Sequence, residues 1–114
     1  MRLKYIANDS RRDEQFIALF SLGIVSALKE GLITCDDAWN WLLNIRILKV
    51  LQEGKFGEDI INAIQLGTEL ENIKRIIPDA FKSSCDEILI ILKDFLKKSS
   101  FSTDAINYLI EMEN

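Results

Sequence analysis

Apolar side chains recur along this chain at the three-and-four spacing of helices and not at the alternate spacing of half-buried strands. The first run, Phe16 to Leu28 (FIALFSLGIVSAL), contains no charged residue. It predicts a helix from about Asp13 to Glu30, capped at Asp9 or Ser10 and stopped by Gly31 in the left-handed conformation. The middle is apolar nearly all round, so this helix is expected to be buried on most faces. Ser21, Gly23, Ser26 and Ala27 are small and would let a neighbouring helix come close.

The next pattern starts at Thr34, whose hydroxyl can cap the turn Cys35-Asp36-Asp37. The two carboxylates then stand where a helix dipole favours negative charge. Trp39, Trp41, Leu42, Ile45, Leu48 and Leu51 carry the pattern to Gly54, which is expected to end it. These positions do not keep one stripe, and a kink or split is expected near Asn44. After Gly57, Ile60, Ile61 and Ile64 predict a short helix over Glu58–Leu66, ended by Gly67. Thr68 and Glu71, then Ser84 and Glu87, have the spacing of capping boxes and are expected to open two further helices. Pro78 excludes helical geometry at Ile77 and predicts a break there. The helix after Ser84 is the most clearly amphipathic, with Ile88, Ile91, Leu92, Phe95 and Leu96 on one side and Lys97 and Lys98 at its end. Ser102 is expected to cap a last helix carrying Ile106, Leu109 and Ile110. Leu3 to Ile6 could form an isolated strand, but no partner for it is evident.

The expected fold is therefore all-α, a single domain over residues 1–114 built as a bundle of five or six helices. With 48% hydrophobic residues, the chain has enough apolar surface for one core without disulfide staples. The apolar run at Phe16–Leu28 falls short of the roughly 20 residues that cross a bilayer. Asp13 and Glu14 precede it where a signal peptide would be basic, so a core helix in a cytoplasmic protein is expected.

Charge narrows the function. Eighteen acids against fourteen bases give a net charge of −4, which disfavours nucleic-acid binding and attachment to an anionic membrane. The chain has no histidine, so Ser-His-Asp and Cys-His arrangements and the usual histidine metal sites cannot be built from it. Gly54-Lys55-Phe56-Gly57 follows a helix and lacks the strand context of a phosphate loop. Cys35 and Cys85 form no C-x-x-C pair; both are expected to be reduced, semi-buried residues near helix starts. Among the carboxylates, Asp94 comes nearest to an apolar setting, but Lys93 adjoins it. No catalytic residue, metal site or cofactor is expected, and the chain is read as a non-enzyme.

What remains is a surface. From Glu30 to Glu71 there are eight acids against three bases, while the rest of the chain carries ten against eleven. The candidate partner-binding residues are Asp36, Asp37, Glu53, Glu58, Asp59, Glu69 and Glu71 as charge complements, with Trp39 or Trp41 as anchor. Two positions apart on a helix, these tryptophans cannot share one core-facing side. An acidic field next to an exposed tryptophan suits a basic protein partner.

In size, acidity, helix content and lack of histidine, the whole chain resembles the immunity proteins of bacterial toxin–immunity pairs, including those of contact-dependent growth inhibition. That resemblance implies a non-catalytic inhibitor that covers a cationic nuclease toxin domain. Two alternatives stay open at this point: a helical adaptor that docks a partner helix in an apolar groove, and a bundle holding a small molecule near its tryptophans. A helix-turn-helix nucleic-acid binder is less compatible, since the candidate recognition helices carry acids.

Overall fold

The computed structural model describes the backbone at residues 2–5, 10–99 and 110–113, and side chains from residue 12 to residue 99. The long apolar run folds as helix α1 (Ser10–Lys29) and is followed by α2 (Cys35–Trp41), α3 (Ile45–Glu53), α4 (Glu58–Thr68), α5 (Leu70–Ile76), a 3₁₀ turn (Pro78–Ala80) and α6 (Phe81–Lys98). The body is all-helical, as expected. Among the described residues, α1, α3, α4 and α6 are the helices of nine residues or more, four where five or six were expected; α2 and α5 have seven residues each. No helix among the described residues is long and apolar enough to cross a membrane.

Helix α1 packs chiefly on α6, and α4 packs on α6 and on α3. An ion pair of 2.6 Å between Lys29 and Asp86 ties the end of α1 to the start of α6, so this central pair is antiparallel. The core lies between them, with Ala18, Val25 and Leu28 of α1 meeting Cys85, Ile88 and Leu92 of α6 and Ile60, Ala63 and Ile64 of α4 in one apolar cluster. Each fully buried Ile or Leu there contributes about 1.5–3 kcal/mol by leaving water. The expectation that α1 is buried on most faces is corrected: Leu19 and Phe20 are 51% and 41% exposed, and Gly23 faces open space. Only one side of α1 meets other helices, so the small residues divide, Ser21 lying inside the core and Gly23 outside it.

The start of the predicted Thr34–Glu53 helix and its break follow side-chain chemistry. The Thr34 hydroxyl accepts from the Asp37 amide at 3.1 Å, and the Asp37 carboxylate accepts from the Thr34 amide at 3.0 Å, a reciprocal cap. The expected break at Asn44 is a full separation. Leu42 leaves helical geometry at φ −153°, Leu42 and Leu43 are both buried, and Asn44 starts α3 by accepting from the Ile47 amide at 2.9 Å. The other two capping boxes do not form. Thr68 is the last residue of α4 and its hydroxyl donates back to the Gln65 carbonyl at 2.6 Å. Ser84 lies inside α6, which begins at Phe81 because burying that ring extends the helix backwards. Gly67 does not end α4 but sits within its last turn, and Glu69 alone separates α4 from α5. The break at Ile77 occurs as Pro78 requires.

Two helices end in the same closing motif. After α1, the Leu32 amide donates to the Ala27 carbonyl and the Gly31 amide to that of Leu28, with Gly31 at φ 75°. After α3, the Phe56 amide donates to Leu51 and the Lys55 amide to Gln52, but here Lys55, not Gly54, takes the left-handed position at φ 58°. A side chain there costs about 1–2 kcal/mol, of which glycine's extra freedom in the unfolded chain offsets roughly half. Lys55→Gly is therefore expected to raise the unfolding free energy by about 0.5–1 kcal/mol, read as a higher urea midpoint at unchanged slope.

One strand expectation is also corrected. Strand β1 (Arg2–Tyr5) has a partner, β2 (Ile110–Glu113), paired antiparallel with Leu3 opposite Met112. Its partner stands at the far end of the sequence, where Ile110 had been placed in a last helix; the rest of that expected helix lies outside the described residues.

Candidate binding cleft

Two bonds from one side chain set the cleft. While its oxygen caps α3, the Asn44 amide nitrogen donates to the Trp39 carbonyl at 2.6 Å, fixing the angle at which α2 leaves α3. Helix α4 runs antiparallel to α3 and returns the chain to α2, so that α5 passes across the open end of the α2–α3 junction. Between them lies a hollow of about 480 Å³. One wall is apolar: Trp39 of α2 with Ile45 and Leu48 of α3. The opposite wall is polar and anionic: Glu69, Glu71 and Asn72 at the start of α5, with Gln65 and Thr68 of α4 beside them.

The tryptophans leave the core together. Trp39 is 39% exposed and stands in the cleft, whereas Trp41 is 53% exposed on the solvent side of α2. Ile45, which its apolar character suggested for the core, is 46% exposed and continues the Trp39 wall.

The candidate acids fall into three places. Glu69 and Glu71 line the cleft, and Asp36 shares a neighbouring hollow with Glu71, Thr34, Cys35, Lys74 and Arg75. Asp37 is engaged in the Thr34 cap. Glu53, Glu58 and Asp59 are exposed at the other end of the α3–α4 hairpin, about 15 Å away along α4. Glu14 of α1 joins that far group: its carboxylate lies 3.2 Å from where a Cβ on Gly57 would stand. The acidic middle of the sequence thus becomes two separated surfaces.

Among the described residues, neither Glu69 nor Glu71 forms an ion pair. The nearby cations have partners of their own. Lys74 holds its ammonium 5.1 Å over the Phe81 ring, and Arg75 donates to the Asn72 side-chain oxygen at 3.0 Å. At the opposite mouth, a shallower hollow beside Trp39 includes Asn40 and Arg46. Along the groove the charge therefore runs from cations at one mouth, through two carboxylates, to a cation at the other.

The thiols are turned away from reactivity. Cys85 lies one turn inside α6, not in its first turn, and is fully buried; desolvation, with Asp86 nearby, pushes its pKa up to about 11. Cys35 is half-buried under the cleft and is also raised, chiefly by burial. At pH 8 a pKa of about 11 leaves roughly 100-fold less thiolate than an unperturbed thiol of pKa 9. Cys85 is accordingly expected to react with a thiol reagent at least 100-fold more slowly than in urea, with mass spectrometry locating the label. The same shift makes the native state hold a proton that the unfolded chain releases, so this contribution to stability is lost as pH rises from about 9 to about 11.

Among the described residues the buried carboxylate is Asp13, whose pKa burial raises; Asp94 is exposed on α6. No group of three or more His, Cys, Asp or Glu side chains that could hold a metal occurs among the described residues. The sequence reading missed the polar wall of Gln65, Thr68 and Asn72. The one signal for it is that Gln65, Thr68, Glu69 and Asn72 share a helical spacing free of apolar residues.

Residues 8–111 match the profile of a protein family, described as "Protein of unknown function (DUF3969)". No curated protein and no solved structure matches the chain.

Proposed function

We propose that this chain, which belongs to the DUF3969 family of proteins of unknown function, is a non-catalytic module that binds a cationic element of another protein in the cleft between α2 and α5. The biological setting that fits this chemistry is immunity: a cytoplasmic inhibitor that masks a basic toxin domain. One observation carries the reading. The cleft sets an exposed tryptophan and two aliphatic side chains opposite two carboxylates that have no ion-pair partner among the described residues. An apolar wall that excludes water strengthens any charge pairing on the opposite wall, and an exposed tryptophan is an efficient anchor. The distant group of Glu53, Glu58 and Asp59 adds long-range attraction that speeds association without touching the same partner element.

The exposed apolar side chains of Trp39, Trp41 and Ile45 also favour an adaptor that docks a partner helix. The partner itself separates the two readings. Tagged protein and its Glu69→Lys/Glu71→Lys variant are used to capture partners from source cells, with circular dichroism verifying the fold. The wild type is expected to retain one stoichiometric basic protein that is toxic when expressed alone. The variant should associate with it roughly 10-fold or more slowly at low salt. Unchanged association would rule out the cleft; a neutral, harmless helical partner would favour the adaptor.

A further inference from the structure

Electrostatic attraction alone does not say which cation the cleft takes. Its lining offers an indole face at Trp39, two carboxylates at Glu69 and Glu71, and the Gln65 amide, with no basic residue among them. A lysine ammonium is compact and strongly hydrated, and as a point charge it would engage the indole or the carboxylates without bridging both or filling the volume. A guanidinium is planar and weakly hydrated, carries five donors in a fixed fork, and can stack on an indole while bonding carboxylates edge-on. The two flanks matter equally. Lys74 and Arg75 stand at one mouth, and Arg46 stands in the hollow at the other. Lys74 and Arg75 each make a contact of their own there, over the Phe81 ring and to Asn72. A polybasic strip laid along the groove would meet repulsion at both ends.

We infer that the cleft is a single-arginine pocket: it takes one arginine side chain of a partner protein, stacked on Trp39 and bonded by Glu69 and Glu71, within a segment whose flanking residues are neutral or acidic. This rests on the reading of the cleft as a protein-docking site and sharpens it, because the partner is recognised by one planar cation and not by its overall basicity. Asp36, beside Lys74 and Arg75, offsets one of their two charges, so small or neutral flanks suffice there.

The test uses capped tripeptides of the form acetyl-Ser-X-Ser-amide, with X as arginine, lysine or citrulline, and a fourth with three consecutive arginines. Each is titrated into the whole protein and followed by amide and indole NMR shifts. The arginine peptide is expected to shift the Trp39 indole and the Glu69–Asn72 amides and to bind at least five-fold more tightly than lysine. Citrulline, its uncharged isostere, should not bind, and the triple-arginine peptide should gain no more than its threefold statistical advantage. Trp39→Leu should remove the preference for arginine over lysine. Equal affinity for arginine and lysine, shifts outside the cleft, a large gain from three arginines, or no binding of any peptide would overturn the inference. Loss of partner capture on reversing Glu69 and Glu71 would still stand apart from each of those results as support for docking.

Discussion

Asn44→Ala is expected to lower the unfolding free energy by about 2–4 kcal/mol. Two losses combine. The first is the helix cap on Ile47, typically about 1 kcal/mol and at most about 2. The second is the bond to the Trp39 carbonyl, which leaves a part-buried acceptor without a donor at a cost of about 1–3 kcal/mol. That carbonyl has no substitute within α2, because the Leu42 and Leu43 amides both donate to Ala38. Three variants measured by urea unfolding separate the terms. Asn44→Ser keeps a capping oxygen and loses only the second bond. Asn44→Asp also keeps the cap but sets a carboxylate against a carbonyl oxygen, so it should be less stable than Asn44→Ser at pH 7 and recover as the pH approaches 4 and the acid gains a proton to donate. If Asn44→Ala lay within about 0.5 kcal/mol of wild type, the junction would be held by packing of Leu42 and Leu43 and not by the amide.

Gly67→Ala is the second, and its sign is opposite to what helix propensity alone requires. An alanine inside a helix gains about 1 kcal/mol over glycine. A Cβ at Gly67, however, would stand 2.8 Å from one terminal methyl carbon of Leu43 and 3.2 Å from the other. Leu43 is buried and has no solvent to turn into, so the contact must be relieved by shifting α4 against the α2–α3 junction. Overpacking of this kind costs about 1–3 kcal/mol, giving a net destabilisation of up to about 2 kcal/mol, and Gly67→Leu should exceed 2. A double-mutant cycle makes the cause specific: Leu43→Ala alone should cost about 2–5 kcal/mol, and Gly67→Ala in that background should recover about 1–2 kcal/mol relative to additivity. Additive costs would show that the glycine serves something other than this contact. Because Gly67 and Leu43 underlie both walls of the cleft, the variant should also change peptide affinity.

These sites show which features were legible in sequence. The Thr34 cap was readable because its partners are three residues apart and nothing else competes for the hydroxyl. The same spacing misled at Thr68, where α4 continues through the residue and offers the Gln65 carbonyl instead. At Ser84 the burial of Phe81 outweighs the cap. Gly31 ends α1 as its type suggests, but after α3 the left-handed position falls one residue beyond Gly54, on Lys55, because the hydrogen-bond register of the helix end fixes the place. The cleft itself was not legible. Trp39 and Glu69 meet only because α4 folds back along α3, and no periodicity records an approach between residues so far apart. Ile45 looked like core, since an apolar residue carries no mark of the face it will occupy. It stands three residues before the buried Leu48 and so shares that side of α3, and no periodicity set the two apart.

The pairing of β1 with β2 closes a loop of roughly a hundred residues. In an unfolded chain, bringing such distant segments together carries a heavy entropy cost, and two four-residue strands return little for it. Once α1 and α6 are packed antiparallel, the start of α1 and the end of α6 already lie on the same side of the bundle. During synthesis β1 must therefore wait for β2, more than a hundred residues later, to emerge, while the α3–α4 hairpin can assemble from neighbouring residues much earlier. The sheet is then a late seal on a finished body, and protection of its amides from hydrogen exchange would record the closing step of folding.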